Sequence, residues 1–396
     1  MKRRQFLTHM MLAGAAAVGS HGLAWRNPAL AASSNRRLVV VFLRGAIDGL
    51  NVLVPYQSAE YYQARPNIAI APPGKSNGVI DLDGFYGLHP LLSDLYPLWQ
   101  SGQLAFVQAA GSPHPTRSHF EAQAYMETGV LDDTVDTGWM NRLLTRLQSS
   151  NPTQTVSVNR PLPLILTGEV PSASISIDPR GYRPLQIDNA TTRAAFDQLY
   201  QGSDPVQAAY RTGRAARDQL LSSLENVAPL SNAAGFVNSA HYLAQLMRGQ
   251  ADTQIAYLEL GSWDTHIGQA NTNNRLLPQL GQGLATLKNE LGPLFDQTTV
   301  VVMSEFGRTV EQNGSLGTDH GHGNMMMVLG GQVNGKTVYG DWPGLAPAER
   351  YEGRDLAIMT DFRDVVGSVL GQHMQLSGAL DEIFPGHAHR QLPLMG

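Results

Sequence analysis

The 396-residue sequence contains no cysteine. That excludes disulfides, thiolate nucleophiles, iron–sulfur clusters and thiolate zinc sites together. A thiol-free chain also suits an oxidising compartment. Charge is scarce as well. Charged residues make up 15% of the chain, against roughly 25% in an average soluble protein. The formal net charge of -5 excludes a strongly basic nucleic-acid-binding surface, so no nucleic-acid partner is expected. No block of like charge could act as an electrostatic tail. No apolar run reaches the about 20 residues that a bilayer-spanning helix needs, so no stable membrane span is expected.

What is present begins with an export pattern. Lys2-Arg3-Arg4-Gln5-Phe6-Leu7 opens the chain, a short apolar stretch runs from Met10 to Val18, and Ala29-Leu30-Ala31 offers small residues for cleavage. A charged start, a short apolar centre and a small-residue exit are the parts of a secretory signal. The paired arginines followed by Phe6-Leu7 are similar to the twin-arginine signal, although Lys2 and Thr8 stand where Ser and Lys are usual. Residues 1–31 are therefore read as a twin-arginine signal peptide. The twin-arginine translocation machinery is the implied export partner, and a periplasmic or secreted destination follows. Such cargo crosses the membrane folded, often with a metal already bound.

The mature chain alternates apolar strands with helical patterns. Leu38-Val39-Val40-Val41-Phe42-Leu43 is a continuous β-branched and apolar run, the mark of a strand buried on both faces. Leu104–Ala109, Ile255–Leu260, Thr298–Met303 and Met325–Leu329 are further strands by the same criterion. Helices are expected over Pro90–Gln100, from Ser118 onward, over Asn274–Phe295 and over Asp361–His373. This alternation predicts an α/β fold with a parallel sheet covered on both faces. Residues 32–396 read as one domain, with a helical insertion around 191–249.

In such sheets, function gathers outside the carboxyl ends of the strands. The polar residues at these positions are Asp48, Ser118 with His119, Asp264 with His266, Glu305, and Asp319 with His320 and His322. Carboxylates and imidazoles after several strands of one sheet are the donors of a divalent-metal site. A pair of metals about 4 Å apart would suit ester hydrolysis. Thr116 and Ser118 are the hydroxyl nucleophiles on offer, with Ser118 favoured. Ser118 is expected to cap a helix N-terminus, a place suited to an anion, with Glu121 completing a capping box. His119 is expected to point elsewhere. Arg44, Arg117 and Arg308 are possible anion clamps. His89, His114 and His373 read as surface or packing residues, while His387 and His389 could each stray into a metal site.

Together these residues carry a resemblance. The twin-arginine start and Phe42-Leu43-Arg44-Gly45-Ala46-Ile47-Asp48-Gly49-Leu50-Asn51 closely resemble the opening of the bacterial domain of unknown function 1501 family. Arg117-Ser118-His119-Phe120, Trp263-Asp264-Thr265-His266, Ser304-Glu305-Phe306-Gly307-Arg308-Thr309 and Gly317-Thr318-Asp319-His320-Gly321 are similar to its further motifs. That family resembles the alkaline phosphatase and sulfatase superfamily. The resemblance implies a three-layer α/β/α sandwich with a mostly parallel sheet, and an exported metal-dependent hydrolase of phosphate or sulfate esters. A small anionic ester would be the substrate, and zinc, manganese, calcium or magnesium the metal. It also implies metal ligands at Asp48, Asp264, His266, Asp319, His320 and His322, and catalytic roles for Ser118, Thr116 and Arg117. Two departures stand out. Asp264 and His266 are closer together than the superfamily's corresponding pair. Pro113 occupies the sulfatase nucleophile slot, which disfavours formylglycine chemistry. The contrasting expectation is a non-catalytic periplasmic binding protein that keeps the fold.

Overall fold

The run Arg37–Leu43 is buried at every residue in the computed structural model, as a strand covered on both faces must be. The structure describes residues 35–396 apart from 132–134, 150, 159, 160, 179, 183 and 250–252. The expected signal peptide lies outside the described residues. The main-sheet strands are β1 (Arg37–Leu43), β2 (Leu104–Gly111), β3 (Thr155–Ser157), β4 (Ala173–Ser174), β5 (Ile255–Leu260), β6 (Thr298–Met303), β7 (Asn324–Gly330), β8 (Val338–Tyr339) and β9 (Thr360–Asp361). Their spatial order is β8-β2-β7-β6-β1-β5-β3-β4, with β9 also paired to β2. Strand β1 is the parallel centre: Val40 faces Tyr257 of β5 on one side and Val301 of β6 on the other. Strand β7 pairs antiparallel with both β6 and β2, and the other pairings of this sheet are parallel.

Among the described residues, seven longer helices accompany the sheet: α1 (His119–Thr128), α2 (Trp139–Arg146), α3 (Ala190–Leu199), α4 (Pro205–Leu224), α5 (Gly235–Gly249), α6 (Gln269–Leu291) and α7 (Phe362–Gln372). Alternate residues of β1 enter two separate cores. Val39, Val41 and Leu43 pack with Leu243 and Met247 of α5 and Leu276 and Leu284 of α6. Leu38, Val40 and Phe42 pack with Trp139 and Met140 of α2 and Val365 and Val366 of α7. The result is a three-layer α/β/α arrangement around a mostly parallel sheet. Among the described residues, no helix is long and apolar enough to cross a membrane.

Several elements differ from expectation for identifiable reasons. The stretch 90–100 is not one α-helix but a 3₁₀ segment, Pro90–Leu95, followed by a short α-helix, Tyr96–Gln100. Pro97 lacks a donor, and its ring obstructs the carbonyl four residues earlier. Helix α6 starts at Gln269 rather than Asn274, and ends at Leu291 because Gly292 and Pro293 follow. The 191–249 segment is helical, but its last helix is not peripheral: Leu243, Ala244, Leu246 and Met247 of α5 are wholly buried.

This packing makes a stability prediction. Leu258 is wholly buried in β5, opposite Val41 in register. Leu258→Ala should lower the unfolding free energy by about 2–5 kcal/mol in urea titration. A loss below about 1 kcal/mol would contradict this placement in a close-packed core.

Candidate metal centre

The reversed direction of β7 decides what meets at the functional rim. Its N-terminal lead-in lies beside the carboxyl ends of β1, β2, β5 and β6, so the Asp319–His322 segment joins their loops. An isolated antiparallel bridge between Arg308 and His320 ties this lead-in to the loop after β6. Here His119 opens α1, Asp264 and His266 follow β5, Glu305 and Arg308 follow β6, and Asp319 and His320 precede β7.

Three imidazoles converge on one carboxylate oxygen. Asp264 Oδ1 lies 3.0 Å from His266 Nε2, 3.2 Å from His320 Nε2 and 3.5 Å from His119 Nε2. The opposite ring nitrogens are all engaged. His119 Nδ1 is 2.8 Å from Glu305 Oε1, His266 Nδ1 is 2.7 Å from Asp319 Oδ1, and His320 Nδ1 is 2.8 Å from the Arg117 carbonyl. Carbonyl and ionised carboxylate oxygens only accept, so each neutral ring donates from Nδ1 and presents a lone pair at Nε2. His119 Nε2 is buried without a hydrogen-bond partner. His266 and His320 face each other Nε2 to Nε2 at 3.0 Å. Two such lone pairs repel unless a proton or a cation lies between them. One ligand atom each from His119, Asp264 and His320 falls within 4.8 Å of the other two. This donor set fits a single divalent cation, its imidazoles oriented by acceptors behind them as metal-bound histidines are.

The charge balance is set by Arg308, which is 1% exposed. Its guanidinium donates to Asp264 Oδ1 at 2.7 Å and to the carbonyls of Ala46, Gly45, Trp263 and Thr318. Burial alone would raise the Asp264 carboxyl, but Arg308, His266 and His320 outweigh it and hold the pKa at about 2. Burial likewise opposes ionisation of Glu305, yet bonds from His119, Gln123 and the Gly45 N–H bring its pKa below the ordinary carboxylate value. The Glu305 bond in turn makes His119 more basic, whereas burial makes His320 less so. The hydrogen bond from His266 lowers Asp319. The loop after β1 approaches closely at Gly45, where φ is +107° and a Cβ would meet the Asp264 nitrogen at 2.7 Å.

Asp264, His266, Asp319 and His320 are brought together, with Asp319 behind His266 rather than among the converging atoms. Asp48 is not part of the group. Its carboxylate is held by the buried Arg65 at 2.5 and 3.1 Å and by Gln269 at 2.6 Å. His322 stacks on Tyr351 with ring centroids 4.1 Å apart, and burial brings its pKa down to about 4. The three arginines considered as anion clamps are all engaged with carboxylates. Arg44 pairs with Glu127 and Glu259, Arg117 with Glu352 and Asp355, and Arg308 with Asp264. The capping box at Ser118 does not form: Ser118 makes no side-chain cap bond, and Glu121 instead accepts from the Thr116 hydroxyl at 2.6 Å.

His119 is turned into the centre rather than away from it. It is the first residue of α1, and its ring stacks on Phe306 at 4.9 Å. The available signal was a histidine directly at a strand–loop–helix junction. Glu305, directly after β6, carried a similar signal. The site lies on an open rim, with the Asp264 side chain 46% exposed. Two cavities of about 360 and 390 Å³ are lined by other residues, among them Ala173, Arg217 and Leu220 in one and Asn51, His89 and Asn273 in the other.

Two outcomes follow from these contacts. Arg308→Met leaves the carbonyls of Gly45, Ala46, Trp263 and Thr318 without this donor and should destabilise the fold by about 1–3 kcal/mol, read by denaturant unfolding. Glu305→Gln should keep the fold but weaken zinc affinity by about 10–100-fold, read by calorimetric titration of chelator-treated protein. Unchanged affinity would show that His119 is not a ligand oriented by Glu305.

Ps i-CgsB in complex with k-i-k-neocarrahexaose is similar at 11% identity with a TM-score of 0.38, over 85% of this chain and 72% of that one. A mutant of alkaline phosphatase PafA is similar at 10% identity and a TM-score of 0.35, over 69% of this chain and 63% of that one. The lipoteichoic acid synthase LtaP from Listeria monocytogenes is similar at 10% identity and a TM-score of 0.33, over 85% and 72% respectively. No curated protein matches the sequence. Residues 99–384, which include His119, Asp264, Glu305, Arg308 and His320, match the family described as Protein of unknown function (DUF1501), and the chain belongs to that family.

Proposed function

We propose that this chain is an exported, metal-dependent hydrolase of phosphate or sulfate esters. The observation that carries the reading is the convergence of three Nε2 atoms on Asp264 Oδ1, each imidazole fixed from behind by an acceptor. His119, Asp264 and His320 would hold the cation, with His266 beside them, and an imidazole-rich set of this kind suits zinc. When bound, the cation supplies the positive charge that polarises an ester oxygen and favours a deprotonated nucleophile.

The chain's own groups have separable roles in this reading. Glu305, Asp319 and the Arg117 carbonyl orient the three rings. Arg308 keeps Asp264 ionised. Arg44, Arg117 and Arg308 are neutralised by carboxylates, so none of them is free to clamp the anionic ester, and the charge that offsets it would be that of the cation held by the imidazoles. Ser118 directly precedes His119 and makes no cap bond, which leaves its hydroxyl available as the nucleophile. Thr116 is committed to Glu121 and to the Ser118 N–H.

A second reading is favoured by the same arginine pairing and by the position of the two cavities away from the rim: an exported binding protein without catalytic activity. The two are separated by assaying zinc- or manganese-loaded protein on aryl phosphate and aryl sulfate. The hydrolase reading expects turnover, lost by about 100-fold or more in His119→Ala or His320→Ala, the scale of losing preorganised charge stabilisation. Ser118→Ala should abolish the reaction with metal content unchanged, while Thr116→Ala should cost less than about tenfold, the modest end for a positioning contact. Absence of turnover by metal-loaded wild type would favour the binding protein. Export is tested independently. Replacing Arg3 and Arg4 by Lys should retain unprocessed protein in the cytoplasm, and the processed wild type should begin near Ala32. Normal export of the double variant would overturn the twin-arginine reading.

A further inference from the structure

A second group of metal-type donors lies at the start of α7 and shares no residue with the rim. Asp364 is in the first turn of that helix and is 8% exposed. Its Oδ1 lies 2.7 Å from His387 Nε2 and 3.6 Å from His389 Nδ1, and accepts from the Arg390 N–H at 2.8 Å. One donor atom from each of the three side chains falls within 4.8 Å of the other two.

Three observations distinguish this group from an ordinary tail contact. First, among the described residues no lysine or arginine pairs with Asp364. The adjacent Arg363 turns to Asp361 instead, at 2.7 Å. A buried carboxylate without a fixed counter-charge is costly. Second, His389 Nδ1 is buried with no hydrogen-bond partner, although it faces that carboxylate. Third, the helix makes room for the ring. Gly367 is three residues beyond Asp364, hence on the same helix face, and a Cβ there would lie 2.6 Å from His389 Nδ1. Zinc–ligand bonds of about 2.0–2.2 Å in tetrahedral geometry place ligand atoms about 3.3–3.6 Å apart; His389 Nδ1 already stands at that separation from Asp364 Oδ1, whereas His387 Nε2, at hydrogen-bond distance, has to draw back by less than about 1 Å to admit the cation. Behind His387, Asp361 Oδ2 is 4.0 Å from Nδ1, positioned as an outer carboxylate.

We infer that Asp364, His387 and His389 form a structural site for a zinc-class divalent cation that fastens the C-terminal segment to α7. The segment beyond it is integrated into the fold: Leu394 is wholly buried and Met395 bridges to Val333. A cation at this point balances the Asp364 charge and closes the tail against the core.

The test titrates chelator-treated full-length protein with zinc, reading equivalents bound by calorimetry and the zinc-dependent rise in Tm. The H119A/H320A double variant should keep one equivalent and the Tm rise. The H387A/H389A double variant should lose that equivalent and the rise. Gly367→Ala keeps all three donors but displaces the His389 ring. It should bind this zinc at least about tenfold more weakly, while the metal-free protein still unfolds cooperatively, with any loss of Tm limited to the overpacking cost of moving that ring. It decides the question even if H387A/H389A fails to fold. Wild-type zinc binding in Gly367→Ala, or an unchanged count in H387A/H389A, would overturn the site. Failure of the rim centre has a different signature: H119A/H320A would bind as many equivalents as wild type.

Discussion

The guanidinium of Arg308 is the contact on which the rim depends. The loops after β1 and β5 and the lead-in to β7 have little secondary structure of their own, and this one side chain gathers their carbonyls as well as the Asp264 carboxylate. The backbone it organises is unfavourable on its own. Ala46 and Ser262 adopt positive φ, at 62° and 76°, which costs non-glycine residues of order 1 kcal/mol or more each. An ion pair with its cation buried and its carboxylate half-exposed is a weak source of net stability, because desolvation and solvent screening offset much of its attraction. Here it fixes one arrangement of several otherwise independent loops.

The same rim contains two carboxylate–arginine units with opposite character. Asp48 and Arg65 are closed: both side chains are buried, and Asn51, Thr309 and Val310 complete the guanidinium bonds. No direction is left for a ligand. Asp264 and Arg308 are open, because the carboxylate extends from a buried guanidinium to the surface and meets three imidazoles there. The chemical potential of the rim is therefore concentrated at Asp264. The closed unit serves to hold the loop after β1 against the one after β6.

The central strands were legible because burial on both faces leaves a continuous apolar run, as in β1, β5 and β6. The direction of β7 was not, since Asn324–Gly330 looks the same running either way. The short strands β3, β4, β8 and β9 have too few residues to show a period. At the rim, the residue types and their positions after strands pointed to Asp264, His266, Asp319 and His320. Asp48 looked equivalent because nothing in its local sequence shows that Arg65 would return to it. His119 turns into the centre against expectation, because helical periodicity does not determine where the first residue of a helix aims its ring. By sequence Arg308 is a candidate anion clamp, whereas the carbonyls that surround it come from chain segments distant in sequence.

The order in which these groups occur along the chain has a consequence for biogenesis. During synthesis Asp264 and His266 emerge before Arg308 and His320, and the lead-in to β7 can dock only once β6 and β7 have both left the ribosome. Until then the rim carboxylate lacks its counter-charge and one of its three imidazole neighbours, His320. A cation that needs this donor set could therefore be held only late in translation or afterwards, when β6 and β7 have both joined the sheet. A cation held there would report the docking of the lead-in to β7, because a nascent chain that ends before His320 lacks part of the donor set.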